Sequence, residues 1–255
     1  MLDIFFNNMK ISIITPSYNS SNTIKNTINS ILTQKFLPFE YIVIDNNSTD
    51  DTVEIVNSYL EDFKSAGINF VIISEPDNGI YDAMNKGILI ASGDFVGIIN
   101  SDDYYANNAL YDLHETYKKN KADIYHGSII MHDNLVYSTH SPKNENKNYR
   151  YNMFHPTMFV SRSLYQKIGL YSTLYKLSSD YDWIIRANLA TSSKHKINGV
   201  ITYYYIFGAS YRNRLVGIKE NYLIRKVNGI SFFSNMYLLV VEILMGPLNF
   251  KTLFK

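Results

Sequence analysis

The chain of 255 residues has no cysteine. That excludes disulfides, thiolate metal sites and cysteine nucleophiles, and it fits a reducing compartment. A surplus of one charge is missing too: 24 Lys+Arg stand against 23 Asp+Glu, a net charge of +1. A nucleic-acid partner needs a basic excess, so none is expected. No Gly-x-Gly-x-x-Gly follows a strand, and there is neither a Gly-Lys-Ser/Thr P-loop nor a Gly-x-Ser-x-Gly elbow. A nicotinamide or flavin site of the usual Rossmann kind is thereby excluded, and any bound phosphate must be neutralised by metal and basic residues. Internal repeats and low-complexity tracts are absent. Met1 to Asn8 lacks a basic n-region and has only a short apolar cluster at Ile4–Phe6. No secretory signal is expected there, and Met9 serves equally well as the native start.

What is present is core material. Apolar residues make up 46% and charged residues 18%, enough to exclude disorder. The length suits one domain of roughly 200–250 residues with a tail. Lys10–Thr15 is predicted as a buried strand ended by Pro16. A helix carrying Ile24, Ile28, Ile31 and Leu32 on one stripe follows. A strand over Glu40–Asp45 leads into a helix that starts near Ser48 to Asp51, with Val53, Val56, Leu60 and Phe63 on its core face. Further strands are predicted over Asn69–Ser74 and Asp94–Asn100, with a helix from Ile80 to Ala91 between them. Four strand–helix alternations imply a parallel, doubly wound sheet, whose ligands bind beyond the carboxyl ends of the strands. The polar runs Thr15–Asn19, Asp45–Asn47, Asp77–Asp82 and Ser101–Asp103 lie at those ends.

The second half is more mixed. A hairpin is predicted over Ala122–Ser138 with Asp133-Asn134 at its turn, then a polar mobile loop over Ser141–Tyr149, a helix over Ser179–Ala190 and a strand over Lys196–Ile206. From Phe207 on, seven basic residues face two acids, a net +5 that leaves −4 for the rest. Ile230–Leu248 is apolar but interrupted by Ser231, Ser234, Asn235 and Glu242 and stopped by Pro247. It is a poor span. It suits either a helix in a membrane interface with basic flanks, or one packed on the protein's own core.

Asp102 and Asp103 end a very hydrophobic strand, where two carboxylates are costly without a cation. A divalent ion, Mg²⁺ or Mn²⁺, is the economical partner, and a helix N-cap before Ala106–Tyr117 is the alternative. Asp45 or Asn46 can accept from a base or hold a ribose, and Tyr18 can flank a base; caps explain the same residues. Asp180 opens a helix, where the dipole favours the ionised carboxylate that a general base needs. His155 precedes Pro156 among Phe and Met, and a structural role explains it as well; His126 and His132 lack metal-ligand spacing.

Four segments in order resemble the family 2 glycosyltransferases of GT-A fold. They are Ile13-Ile14-Thr15-Pro16-Ser17-Tyr18-Asn19, Ile42-Val43-Ile44-Asp45-Asn46-Asn47-Ser48-Thr49-Asp50, Asp77-Asn78-Gly79-Ile80-Tyr81-Asp82-Ala83-Met84-Asn85-Lys86-Gly87, and Gly93-Asp94 through Asn100-Ser101-Asp102-Asp103. The third is similar to bacterial enzymes that build O-antigen and related surface polysaccharides. The resemblance implies an α/β fold, a Rossmann-like, mainly parallel sheet flanked by helices, with a C-terminal helical tail. It divides the chain into an extension (1–9), a nucleotide-sugar half (10–125), an acceptor and base half of the same domain (126–210) and basic amphipathic helices (211–255).

The resemblance further implies inverting transfer from a nucleotide-sugar, commonly a UDP-sugar, to a saccharide acceptor. It puts Thr15, Pro16, Tyr18, Asp45, Asn46, Asp82, Ser101 and Asp102 on the nucleotide and Lys86 near the diphosphate. Asp102 and Asp103 become the metal motif, with Asp103 the direct ligand, and Asp180 becomes the catalytic base. His155, Tyr181, Asp182, Trp183 and Ser210 are further sugar contacts. A polyprenyl-linked acceptor suits the basic tail, on a cytoplasmic protein peripheral to the inner face of the cell membrane. Two departures stand out: Asn46 replaces a frequent second acid, and Ser179 replaces the Glu of a Glu-Asp pair. Only Gly208 is glycine in Phe207–Ser210, where relatives carry a flexible donor loop. A nucleotidyltransferase is the competing enzyme reading, but Ser17–Ser21 lacks its Gly-rich basic loop. A catalytically silent nucleotide-sugar-binding module is the third, and the intact Asp102, Asp103 and Asp180 argue against it.

Overall fold

The computed structural model describes residues 9–133, 137–142, 153–191 and 193–244. The readings made for residues 1–8, for Asn134, for residues 143–149 and for Pro247 lie outside the described residues.

Strand β1 (Ile11–Ser17) is buried along its whole length, as a strand covered on both faces must be. Helix α1 (Ile24–Leu32) buries Ile24, Ile28 and Ile31 against it. Strand β2 (Glu40–Asp45) is equally buried. The single helix expected next is two, α2 (Thr52–Asn57) and α3 (Leu60–Ser65). The hydroxyl of Ser58 donates to the Ile55 carbonyl at 2.6 Å, the local competition that ends helices. Leu60, expected in the core, is 45% exposed beyond that break, whereas Val56 and Phe63 are buried. Strand β3 (Asn69–Ser74), helix α4 (Ile80–Ile90) and strand β4 (Phe95–Ile98) complete the predicted alternation.

The second half adds β5 (Tyr104–Tyr105), α5 (Ala109–Lys119), β6 (Ile124–His132), β7 (Tyr137–His140), a 3₁₀ turn (His155–Thr157), β8 (Phe159–Ser161) and α6 (Arg162–Ile168). Then come α7 (Ser179–Ala190), β9 (Lys194–Tyr205), α8 (Ala209–Arg212), α9 (Arg214–Val227) and α10 (Phe232–Leu244). One sheet runs β3-β2-β1-β4-β8-β6-β9-β5, with β7 paired to β6 as the expected hairpin. Strands β3, β2, β1 and β4 are parallel, and β8 reverses the direction against both β4 and β6. Two cores sandwich the sheet. Ile11, Ile13, Tyr41 and Val43 face one, and Ile14, Ile42 and Ile44 face the other, by the two-residue alternation of strands. Strands as short as β5 and β8 carry too few residues for an alternating pattern, and so escape a periodicity reading.

His126 on β6 is buried, and its ring is pushed down to about 4 by burial first and by Lys194 and Lys196 second. The unfolded chain takes up this proton near 6.5, so the stability contributed by the neutral ring is complete above that pH and lost as pH falls toward 4. The urea midpoint of the wild type should fall through this window more steeply than that of His126→Gln, as followed by circular dichroism.

Candidate active site

The carboxyl ends of β1, β2 and β3 are tied together by one carboxylate. Asp45, fully buried, accepts from Ser17 Oγ at 3.0 Å, from Ser74 Oγ at 2.7 Å and from the Ser48 backbone N–H at 2.9 Å. Asn19 and Asn47 adopt left-handed backbone conformations, which asparagine tolerates, as the chain leaves β1 and β2. Asn19 Oδ1 accepts from the Thr49 N–H at 2.9 Å and stitches the two loops to each other. Above this floor lies a cleft of about 720 Å³, lined among others by Pro16, Tyr18, Asn46, Ser101, Asp102 and Arg212.

A second cavity of about 240 Å³ adjoins it. Ile80, Asn100, Lys176, Leu177, Tyr204 and Ser210 line both, so they form the wall between them. Asp180 and His155 belong to the second cavity, together with the apolar Ile129, Met131 and Phe154. Asp180 sits in the first turn of α7, and its Oδ1 accepts from the Tyr81 hydroxyl at 2.9 Å. Burial, and then the Asp180 charge, push the Tyr81 hydroxyl well up, so it stays a donor. His155 is buried, its ring pushed down by burial against the opposing pull of Asp180, and its Nε2 has no hydrogen-bond partner among the described residues.

Of the expected nucleotide contacts, Pro16, Tyr18, Asn46, Ser101 and Asp102 reach the cleft. Thr15 lies beneath it, accepting from the Tyr41 hydroxyl at 3.1 Å, and Asp45 is the tie just described. Asp82 turns back to the N–H of Asn78 at 3.0 Å and holds the start of α4. Lys86 does not line the cleft: its ammonium binds Glu75 at 2.8 Å and the Pro76 carbonyl at 2.9 Å. Ser210 lines both cavities, but Tyr181, Asp182 and Trp183 line neither. Successive helix positions point in different directions. Tyr181 packs with Ile185 and Ile224, Asp182 pairs with Arg186 at 2.9 Å, and Trp183 is core, donating to the Gly169 carbonyl at 3.0 Å.

The acidic pair divides. Asp103 is fully buried, accepting from the Tyr205 N–H at 3.0 Å and from Asn100 Nδ2 at 3.2 Å. Burial and the Asp102 charge push its carboxyl well up. Asp102 faces the cleft instead, where burial pushes its carboxyl up and the Arg212 guanidinium opposes. Asp103, the expected direct ligand, is thus the buried member of the pair, and Asp102 is the one that lines the cleft. Gly208 packs so closely here that a Cβ on it would stand 3.0 Å from an Asp102 oxygen. The donor set suits a hard divalent cation, since it is all oxygen and the buried Asn100 Oδ1 has no hydrogen-bond partner among the described residues. Among the described residues no three His, Cys, Asp or Glu form a complete metal site. The remaining ligands would come from a diphosphate, the usual arrangement for Mg²⁺.

Sequence reasoning missed Tyr81, Lys176, Tyr204, Arg212 and Glu220. Tyr81 lies inside the quoted Gly-Ile-Tyr-Asp run, so its signal was present. Glu220 has no local signal. It is buried on α9 and accepts from the backbone N–H groups of Lys176 at 2.8 Å, Leu177 at 2.9 Å and Ser178 at 3.1 Å. Three successive amides around one carboxylate form an anion-binding nest, and it holds the turn that delivers Asp180.

A family model described as Glycosyl transferase family 2 matches residues 12–177. A PGL/p-HBAD biosynthesis glycosyltransferase of Mycobacterium bovis is 28% identical over 177 residues, covering 69% of this chain and 68% of its own. A poly(ribitol-phosphate) beta-glucosyltransferase of Bacillus spizizenii is 34% identical over 125 residues, 48% of this chain and 19% of its own. In fold, the chain is similar to the crystal structure of S. aureus TarS 1-349 in complex with UDP-GlcNAc. That TM-score is 0.69 at 22% identity, over 94% of this chain and 68% of the other.

Glu220→Gln should speed amide exchange at Lys176–Ser178 by roughly tenfold or more, as expected for a charged hydrogen bond of about 1.5–3 kcal/mol. Hydrogen–deuterium exchange checks this, with amides of β1 as the internal control. Unchanged exchange at those three residues would remove Glu220 from the role.

Proposed function

The chain belongs to the family 2 glycosyltransferases and has their GT-A fold, and from that premise we propose that it moves a sugar from a nucleotide-sugar, a UDP-sugar, to a saccharide hydroxyl with inversion. One observation carries the reading: the cleft holding Asp102 and the cavity holding Asp180 share a wall, so a donor and an acceptor can meet between them. In this reading residues 10–125 hold the donor. Residues 126–210 supply the base and the acceptor pocket, with Tyr81 of the donor half reaching across to the base.

The base step is a proton transfer to Asp180 from the acceptor hydroxyl. The freed oxygen pair attacks the anomeric carbon as the bond to the diphosphate breaks on the opposite face. One displacement inverts the centre and needs no covalent enzyme nucleophile. The Tyr81 hydroxyl holds the Asp180 carboxylate in place through its Oδ1. Arg212 and Lys176, both lining the cleft, favour the negative charge that grows on the departing diphosphate. Asp102, with Asp103 and Asn100 behind it, would hold a Mg²⁺ or Mn²⁺ ion, which supplies charge stabilisation on the leaving phosphates. The apolar Ile129, Met131 and Phe154 offer a face to a sugar ring, and the free His155 Nε2 a hydrogen bond.

We place the reaction in bacterial surface-polysaccharide synthesis, O-antigen or capsule, on a polyprenyl-linked acceptor at the inner face of the cell membrane. Support comes from relatives whose names place them in PGL/p-HBAD biosynthesis and in poly(ribitol-phosphate) glucosylation. No helix among the described residues is long and apolar enough to cross a membrane, so the attachment proposed is peripheral.

Asp180→Asn should keep UDP-sugar binding by calorimetry and lose about 10²–10⁴-fold in turnover, the contribution expected of a general base. Wild-type turnover in that variant would remove Asp180 from the role. UDP should raise the thermal midpoint more with Mn²⁺ than with chelator, and Asp102→Asn should abolish that difference. An equal shift in both conditions would exclude the metal.

A further inference from the structure

Helices α9 and α10 pack with polar residues turned toward each other and apolar residues turned out. Asn235 and Glu242, two turns apart on α10, face α9. Asn235 Oδ1 accepts from Arg225 Nε at 2.8 Å, and its amide donates to the Tyr222 carbonyl at 3.1 Å. Glu242 accepts both terminal nitrogens of Arg225, at 2.7 and 3.0 Å, and the Asn221 amide at 3.2 Å. Arg225 is 2% exposed, and Asn235 is the one buried residue of α10. A hairpin made for water alone puts its apolar stripe inside. Here the stripe Phe233, Tyr237, Val240 and Leu244, at helical spacing, is 84, 66, 47 and 76% exposed.

The charges show what covers it. Both acids of the tail are turned inward, Glu220 onto the nest at residues 176–178 and Glu242 onto Arg225. Lys219 and Lys226 are exposed on α9, interleaved with the exposed Leu223 and Val227. The exposed charges named on α9 are positive, and they share one hairpin with the apolar stripe of α10. An anionic lipid surface complements both features.

We propose that the α9–α10 hairpin docks on an anionic bilayer. Helix α10 lies in the interface with its Phe233–Leu244 stripe toward the acyl chains, and Lys219 and Lys226, on the helix behind it, add electrostatic attraction to the anionic surface. This adds the docking surface to the peripheral location already proposed. Because α9 also grips the turn before Asp180, docking fixes how the catalytic mouth faces the lipid.

The test uses the full chain and vesicles of phosphatidylcholine with and without phosphatidylglycerol. Sedimentation should carry the protein down with the anionic vesicles, less so as salt is raised. Lys219→Ala with Lys226→Ala should lower the partition coefficient by roughly 30-fold, about fivefold per cation. Phe233→Ser with Leu244→Ser should abolish binding at every salt concentration. Both double variants should hydrolyse UDP-sugar donor at the wild-type rate, because these residues line neither cavity. Vesicle binding without donor hydrolysis would uphold the docking surface and count against the transferase reading alone. Binding that survives the Phe233 and Leu244 changes, or its absence from active wild-type protein, would overturn the proposal. So would a stable dimer that Phe233→Ser dissociates, since the stripe would then belong to a second copy or to the chain's own tail.

Discussion

Helix α4 is the seam on which the whole site depends. Its Tyr81 holds the carboxylate of Asp180 across the molecule, and one turn later its Asn85 pairs reciprocally with the backbone of Tyr171, donating at 2.9 Å and accepting at 3.0 Å. Tyr81, Asn85 and Tyr171 are buried and Asp180 is half-buried, and in such surroundings an unmet polar atom costs far more than in water. The helix that begins at the larger cleft therefore also sets the distance to Asp180. Gly79, with a positive φ of 112°, makes the sharp entry into this helix possible.

Buried anions do much of the positioning elsewhere. Asp45 gathers three strand ends, Glu220 gathers three successive amides, and Glu40 accepts from Ser12, Asn69 and Ser92 on neighbouring elements. Each carboxylate is surrounded by neutral donors rather than by a single cation. Hydrogen bonds of this kind fix direction as well as proximity, which a bare ion pair between flexible side chains does poorly. The charged residues Asp77, Asp102, Lys176 and Arg212 by contrast line the cleft.

The parallel half of the fold was legible because its strands are continuous apolar runs punctuated by polar ends, and because each crossover helix carries a clear stripe. The same punctuation located the cleft, through Pro16, Tyr18, Asn46, Ser101 and Asp102. What stayed hidden depends on contacts distant in sequence. Asp45 and Asp103 take donors from elements distant in sequence. Lys86, expected near the diphosphate, pairs with Glu75. Tyr181 to Trp183 sit beside Asp180 in sequence, but helical rotation turns them away. Glu220 lies in a stretch whose composition advertised only a basic tail.

The placement of β8 bears on how the chain is made. Strand β4 is wholly buried in the finished molecule, and one of its two edges is covered only by the three residues Phe159–Ser161. A ribosome delivers the four parallel strands long before that short strip emerges. Until then β4 presents an open, apolar edge, the template on which nascent chains stick to one another. Safe biosynthesis thus hinges on a late and very short strand, and the interval before it arrives is when this polypeptide most needs a chaperone.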